Sequence, residues 1–133
     1  MILKPEIIKF DKIGDSSLGF ISVAEINKNI PFAIKRVYWT YYTPESVIRG
    51  GHAHKKLQQV IVAVSGSIKF KVESLDNSIV EVDLIQPDKG LYLPPFTWRE
   101  MQFSHNAVLM CLASEIFSEN DYIRDYDAFN KLK

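Results

Sequence analysis

Short hydrophobic runs separated by turn residues make up most of this chain. Ile68, Phe70 and Val72 alternate with charged residues, which predicts a strand with one buried face and one wet face. Residues 59–64 form an almost unbroken apolar run that ends at turn residues, consistent with a central strand or a tight hairpin, and residues 107–113 have the pattern of a fully buried strand. Further strands are predicted at 34–39, 80–84 and 91–93, with weaker candidates at 7–10 and 20–23. This texture predicts an all-β sandwich or barrel.

Only the C-terminal end departs from the strand pattern. Ser118 and Asp121 have the spacing that is typical of a helix start. Four residues that follow fall near helical spacing, namely Tyr122, Ile123, Tyr126 and Phe129. The sequence therefore predicts one short C-terminal helix packed against the barrel.

The composition supports a single domain spanning residues 1–133. A chain of 133 residues with 47% hydrophobic content can bury one core without disulfides or metals, and disorder is not expected. Basic and acidic residues balance at 16 each, with no block of like charge. This balance argues against a nucleic-acid-binding or membrane-surface role, because either would normally leave a basic patch.

Cys111 is the single cysteine, which excludes an internal disulfide. It lies in the apolar run 107–113, where a free cysteine usually behaves as a small buried hydrophobe and not as a nucleophile. Charged residues interrupt the apolar ones at the N-terminus, and no stretch has the length of a membrane span. We therefore expect a cytoplasmic protein.

The segment 49–59 contains the most informative motif, His52-Ala53-His54, which follows Arg49 and two glycines. Side chains alternate along a strand, so the two histidines should lie on the same face. Two neighbouring imidazoles suit metal binding or proton transfer. A single histidine could equally satisfy a hydrogen bond in the core, but the pair favours a functional site.

The histidine pair resembles the first motif of the cupin superfamily, whose fold is a jelly-roll β-barrel. In cupins the pair is followed by a glutamate and a glycine turn; here the glutamate position holds Gln58 or Gln59, and Gly66 supplies the turn. Trp98 stands near the histidine position of the second cupin motif, while His105 is better placed in a loop. Indole cannot ligate a metal and a carboxamide is a weak ligand. No metal and no other cofactor are therefore expected.

Beyond the histidine pair, several blocks resemble the sugar 3,4-ketoisomerases, a cupin family. The blocks lie at 35–38, 49–56, 90–92, 98–101, 112–114 and 121–127. The resemblance runs from about residue 8 to about residue 130. It implies conversion of dTDP-4-keto-6-deoxyglucose into a 3-keto isomer for 3-amino-sugar synthesis. It also implies a homodimer with exchanged N-terminal strands.

Ketone migration needs a base and stabilisation of charge that develops on oxygen. His52 and His54 are the candidates to move protons, one at carbon and the other between the two oxygens, and we favour His52 for the carbon step. Tyr38 and Arg99 are candidates to polarise the ketone or orient the ring.

Substrate binding is assigned to Arg36, Arg49, Lys55, Gln59, Trp98 and Leu18. The arginines suit a diphosphate because of their fork of donors, with Lys55 or Lys56 behind them. The thymine ring could stack on Trp39, Tyr41 or Tyr42, although these aromatics could also form a dimer interface. Leu18 and Arg99 could influence the face on which C4 is reprotonated, so the product can have the galacto or the gluco configuration or be a mixture. Arg99 favours the gluco configuration.

Three other functions compete with this interpretation. A nucleotide-sugar 3,5-epimerase would pair its histidine with an aspartate, and the sequence offers no convincing partner. A non-catalytic sugar-sensing cupin would need no paired histidines. A metal-dependent cupin oxygenase would require Gln58 or Gln59 as a ligand.

Overall fold

Two five-stranded antiparallel sheets form most of the molecule. The computed structural model describes residues 3–133. Met1 and Ile2, with which the predicted domain begins, lie outside the described residues. The all-β prediction is confirmed, since the described part of the chain contains one α-helix of five residues.

The first sheet has the strand order β1-β9-β6-β11-β4. Its strands are β1 (Glu6–Lys9), β4 (Arg36–Thr40), β6 (Gln59–Ser65), β9 (Lys89–Leu93) and β11 (Val108–Ala113). Residues 59–63 of the run predicted at 59–64 are buried, because Ile61 faces the other sheet while Val60 and Val62 pack under Phe10 and Ile30; Val64 is 42% exposed. The N-terminal segment thus covers the outer face of this sheet.

The second sheet has the order β12-β5-β10-β7-β8. Its strands are β5 (Ile48–His54), β7 (Ile68–Ser74), β8 (Ile79–Leu84), β10 (Thr97–Phe103) and β12 (Tyr122–Ile123). The alternation predicted for β7 is confirmed, because Ile68, Phe70 and Val72 are buried between the sheets. The sequence prediction missed β10, whose charged and polar residues interrupt the apolar pattern.

A separate hairpin joins β2 (Ile13–Asp15) to β3 (Gly19–Ile21). All six strand residues are exposed, and Leu18 at the turn is 92% exposed. Ser17 closes the turn on the carboxylate of Asp15 through its backbone N–H, at 2.9 Å. The hairpin therefore projects from the barrel instead of contributing to its core.

The predicted C-terminal helix is shorter than expected and begins later. Residues Glu119–Asp121 form a 3₁₀ turn with no side-chain cap from Ser118, and the next two residues pair with β5 as β12. Helix α1 spans Tyr126–Asn130, and the carboxylate of Asp125 caps it by accepting from the Asp127 N–H. The predicted helix start at Ser118 was wrong because backbone pairing with β5 outweighs the local spacing. In the described residues, no helix has the length and apolar character needed to cross a membrane.

Candidate active site

The two histidines of the motif lie side by side at the end of β5. Their ring centroids are 4.9 Å apart with an interplanar angle of 82°. Ala53 between them points to the opposite face, where it packs with Ile123 and Phe129. The same-face prediction is confirmed, because the period-two alternation of a strand holds across the motif.

Two glycines before the histidines allow β5 to approach β10 closely. Gly50 and Gly51 have φ values of 88° and 67°, in the region that residues with a Cβ rarely adopt. A Cβ on Gly50 would lie 2.7 Å from the carbonyl oxygen of Arg99. The register between the strands shifts next to Arg99, which brings His52 directly opposite this arginine.

Arg99 is buried inside the barrel, with 1% of its surface exposed. Its guanidinium donates to the Gln59 side-chain carbonyl and, at 3.3 Å and 3.4 Å, to the carbonyl oxygen of Thr97. It forms no ion pair with any carboxylate of residues 3–133. A buried cation held only by neutral acceptors makes this end of the barrel interior electropositive.

Of the two glutamines predicted at the cupin glutamate position, Gln59 and not Gln58 faces the barrel interior. Besides accepting from Arg99, its amide donates to the Tyr38 hydroxyl at 2.9 Å and to the Cys111 sulfur at 3.3 Å. A carboxylate could accept from Arg99 but could not donate to the other two groups. Gln58 faces away and accepts from the Tyr92 hydroxyl at 2.7 Å.

Arg36 and Tyr38 extend the polar group along β4. The Arg36 guanidinium lies 5.4 Å from the Tyr38 ring centroid and 5.8 Å from that of Phe117. Its Nε is buried and has no hydrogen-bond partner in the described residues. An unpaired buried guanidinium N–H is costly, so this atom is available to an oxygen of a ligand.

Burial sets the protonation of these groups. It lowers the pKa of His52 to about 4, and the Arg99 charge adds to this effect. The same two causes lower the pKa of His54, while burial raises the pKa of the Tyr38 hydroxyl well above its usual range. Burial also lowers the pKa of Arg99 to about 10. At neutral pH the site therefore holds two neutral imidazoles, a neutral phenol and a charged guanidinium.

The sequence assigned no role to two residues that contact the histidines, Asp121 and Tyr122. Asp121 Oδ2 lies 3.2 Å from His54 Nδ1. The Tyr122 ring centroid is 4.3 Å from that of His54 and 5.1 Å from that of His52. Both residues belong to the block 121–127, which carried the family resemblance but gave no sign that β12 pairs with β5. The sequence offered no convincing aspartate partner for a histidine, whereas the structure places Asp121 beside His54.

Arg49, near the start of β5, and Lys55, which follows the last residue of β5, flank the histidines and are exposed. Arg49 lies three positions before His52 on β5, and its charge contributes to the lowered pKa of His52. Lys55 instead donates to the backbone carbonyl of Asn120 at 3.3 Å, and Lys56 forms an ion pair with Glu115 at 3.3 Å.

Two predicted substrate contacts lie away from the histidines in this chain. Trp98 is on the outer face of β10, where it packs on Phe129 and Ala53, because Arg99 takes the inward position. Leu18 is at the tip of the exposed hairpin. His105 lies in the exposed turn after β10, as predicted.

Metal binding has little support from the side chains near the histidines. No group of three or more histidine, cysteine, aspartate or glutamate side chains suited to a metal ion occurs within residues 3–133. The third position of the cupin ligand set is an amide already engaged with Arg99.

Comparisons with known proteins show the family of this chain. The model of the family described as WxcM-like, C-terminal matches residues 3–133. The TDP-4-oxo-6-deoxy-alpha-D-glucose-3,4-oxoisomerase of Aneurinibacillus thermoaerophilus is 46% identical over 130 residues, covering 97% of this chain and 92% of that protein.

Solved structures of a sugar 3,4-ketoisomerase from Thermoanaerobacterium thermosaccharolyticum superpose closely. Its complex with TDP has a TM-score of 0.92 and 39% identity, covering 99% of this chain and 96% of that one. A histidine-to-asparagine variant of the same enzyme, in complex with TDP-4-keto-6-deoxyglucose, has a TM-score of 0.92 and 38% identity, covering 99% of this chain and 95% of that one. The expected cupin-type barrel is thereby confirmed. The chain belongs to the WxcM-like family of TDP-sugar 3,4-ketoisomerases.

Proposed function

We propose that this protein converts TDP-4-keto-6-deoxyglucose into its 3-keto isomer by metal-independent proton transfer, in 3-amino-sugar synthesis. The observation that carries the proposal is the pair of neutral imidazoles, His54 buried and His52 half-buried, beside a guanidinium that has no carboxylate partner among residues 3–133. Relatives that act on or bind this sugar nucleotide support the substrate.

The reaction moves two hydrogens from C3 and its oxygen to C4 and its oxygen, with no net oxidation or reduction of the sugar. A base takes the proton from C3, and the C–H electron pair moves through the enediolate to the C4 oxygen. A second group takes the proton of the C3 hydroxyl and passes it to the C4 oxygen, which becomes a hydroxyl. The protonated base then gives a proton to C4 while the electron pair on the C3 oxygen forms the C3 ketone. A neutral imidazole can perform each transfer and return its proton within one turnover.

We assign the carbon-bound proton to His52 and the oxygen-to-oxygen relay to His54. The negative charge that develops on the C4 oxygen needs a preorganised donor. Arg99 suits this role because no carboxylate of the described residues pairs with its charge. Tyr38, whose raised pKa keeps its hydroxyl protonated, can donate a second hydrogen bond.

The diphosphate is assigned to Arg36 and Arg49, with Lys55 or Lys56 contributing charge. The unpaired Nε of Arg36 and the exposed position of Arg49 near His52 support this assignment. Trp39, Tyr41 and Tyr42 are 63%, 54% and 88% exposed, which leaves their rings accessible to a base or to a second subunit. A charged nucleotide does not cross a bilayer unaided, so we keep the prediction that the enzyme is cytoplasmic.

We also propose that the protein is a homodimer that exchanges N-terminal strands. Large apolar side chains on the hairpin and on the outer face of β4 are exposed, namely Ile13, Leu18, Phe20, Ile21, Val37 and Trp39. Such an accumulation favours a protein contact. Sedimentation velocity should give twice the monomer mass; a monomer at micromolar concentration would contradict the dimer.

The test of the isomerase is proton NMR of TDP-4-keto-6-deoxyglucose with chelator-treated protein in D₂O. We expect a 3-keto sugar with deuterium at C4, and its couplings will give the C4 configuration. The aspartate beside His54 also satisfies what a 3,5-epimerase requires, so exchange at C3 and C5 without carbonyl migration would replace the isomerase with that function. Tight nucleotide binding with an unchanged sugar would instead favour a sensor.

A further inference from the structure

Asp121 joins the C-terminal segment to the loop that follows the histidine pair. Its Oδ1 accepts from the Lys56 N–H at 2.7 Å and its Oδ2 from the Leu57 N–H at 3.2 Å. Its backbone carbonyl accepts from the Lys55 N–H at 3.0 Å. The carboxylate is therefore held in one orientation by groups that do not take part in catalysis.

The same carboxylate lies next to the inner histidine. Asp121 Oδ2 is 3.2 Å from His54 Nδ1, and the His54 side chain is 1% exposed. Nδ1 has no aligned hydrogen bond within residues 3–133, so Asp121 is the acceptor that a rotation of the imidazole ring would engage. An anion at this position favours a proton on Nδ1.

We propose that Asp121 is a positioning residue that keeps the proton of neutral His54 on Nδ1 and so leaves the Nε2 lone pair free to accept a proton from the substrate. This role rests on the proposed isomerase function. The proposed role of Asp121 distinguishes the two histidines. His54 has a carboxylate neighbour that stabilises the imidazolium formed when it accepts a proton, whereas His52 is not paired with a carboxylate in the described part of the chain.

Other charged and titratable groups face His54 from the neighbouring elements. Arg99 approaches from β10, Arg36 from β4 and His52 from the same strand, and all three lower its pKa. The Tyr122 ring lies against the His54 ring from β12, and the Arg124 guanidinium, 4.0 Å from the Tyr122 ring centroid, also lowers the pKa of His54. Since these neighbours oppose a charged imidazole, Asp121 supplies the negative charge that favours the charged state of His54.

The experiment that tests this role is two-bond ¹H–¹⁵N NMR of the histidine side chains in the full-length protein without substrate. For the unmodified protein we expect the pattern of a neutral imidazole protonated at Nδ1 for His54. The Nε2-protonated pattern would overturn the proposal. This measurement needs no substitution and no activity, so it stands even if the proposed reaction is not observed.

The variant Asp121→Asn should then change both the tautomer and the turnover. Asparagine preserves the size of the side chain but can present an amide donor to Nδ1, which favours protonation at Nε2. We expect kcat to fall on the order of 10²-fold with little change in KM. A variant that keeps the Nδ1-protonated pattern, or whose kcat stays within about twofold, would contradict the positioning role.

The matched control is Asp125→Asn, in the same segment. Asp125 caps helix α1 through the Asp127 N–H and contacts neither histidine. We expect this variant to lose a little thermal stability while the tautomer of His54 and kcat stay unchanged. Equal losses of kcat in both variants would show that the segment acts only by holding the fold.

Discussion

The two ends of the barrel interior are built from the same strands but have opposite chemistry. Along β10 the inward residues change from Arg99 to Met101 and Phe103, and along β6 from Gln59 to Ile61. One end is a packed aliphatic and aromatic core, while the other holds a guanidinium, an amide, a phenol and two imidazoles. Strand alternation fixes the inward positions in both ends.

The difference between the ends shows where stability and function reside. Apolar groups at the packed end gain free energy when they leave water. At the polar end a charged guanidinium is buried without a carboxylate partner in the described residues, which costs free energy that its neutral acceptors only partly offset. We expect substitutions at the polar end to affect turnover more than stability, and substitutions at the packed end to do the reverse.

The largest expected effect comes from His52→Asn and His54→Asn. Each variant removes a proton-transfer group, so kcat should fall about 10³-fold while TDP still binds. Turnover of the sugar nucleotide and TDP affinity by calorimetry measure the two effects separately.

His105→Asn is the matched control, because this histidine lies in an exposed turn and should leave kcat unchanged. Activity that survives in both motif variants would rule out the proposed mechanism.

Arg99→Met should also reduce kcat strongly, on the order of 10²-fold, because the C4 oxygen of the substrate loses its cationic hydrogen-bond donor. Methionine has a similar length and no charge, so thermal stability should be unchanged or raised. Paired measurements of kcat and Tm distinguish this result from a general loss of structure. A large drop in Tm would show that the guanidinium stabilises the fold.

Phe103→Ala tests the packed end. This side chain is 2% exposed in the main core, and its truncation should cost about 3–5 kcal/mol of unfolding free energy. Urea unfolding measures the loss, and kcat per folded molecule should stay within about twofold at a temperature where the variant is folded. A selective loss of kcat would mean that the two ends are coupled.

The smallest expected effect is a dependence of stability on pH. The pKa of His52 falls from 6.5 in the unfolded chain to about 4 in the folded protein, so below pH 6.5 the unfolded state binds more protons. The stabilising contribution of neutral His52 is therefore present above pH 6.5 and is lost as the pH falls towards 4. Thermal unfolding between pH 7.5 and 4.5 should show a falling Tm.

Acidic groups also titrate in this range, so the comparison is with His52→Asn, which lacks the histidine contribution. The Tm of this variant should fall less steeply between pH 6.5 and 4.5. Parallel curves for the two proteins would mean that His52 is not kept neutral by the fold.

Local patterns predicted the strands that are regular and the residues that share one face of a strand. The alternation in β7, the apolar run of β6 and the same-face placement of His52 and His54 all follow from the geometry of a single strand. The sequence blocks that resemble the sugar 3,4-ketoisomerases predicted the reaction and indicated Tyr38 and Arg99 as candidate site residues. The strand β10 was missed because its inward arginine and outward tryptophan reverse the expected hydrophobic pattern.

The sequence by itself therefore determined the all-β class, the paired histidines and the family to which the chain belongs. Only the tertiary structure decided that Gln59 and not Gln58 faces inward, that Trp98 packs outside the barrel, and that Asp121 lies beside His54. These facts depend on pairing between strands that are distant along the chain. Asp121 lies 64 positions after Leu57. The intervening residues carry no local signal that Asp121 lies beside His54, because backbone pairing between β12 and β5 brings the two together.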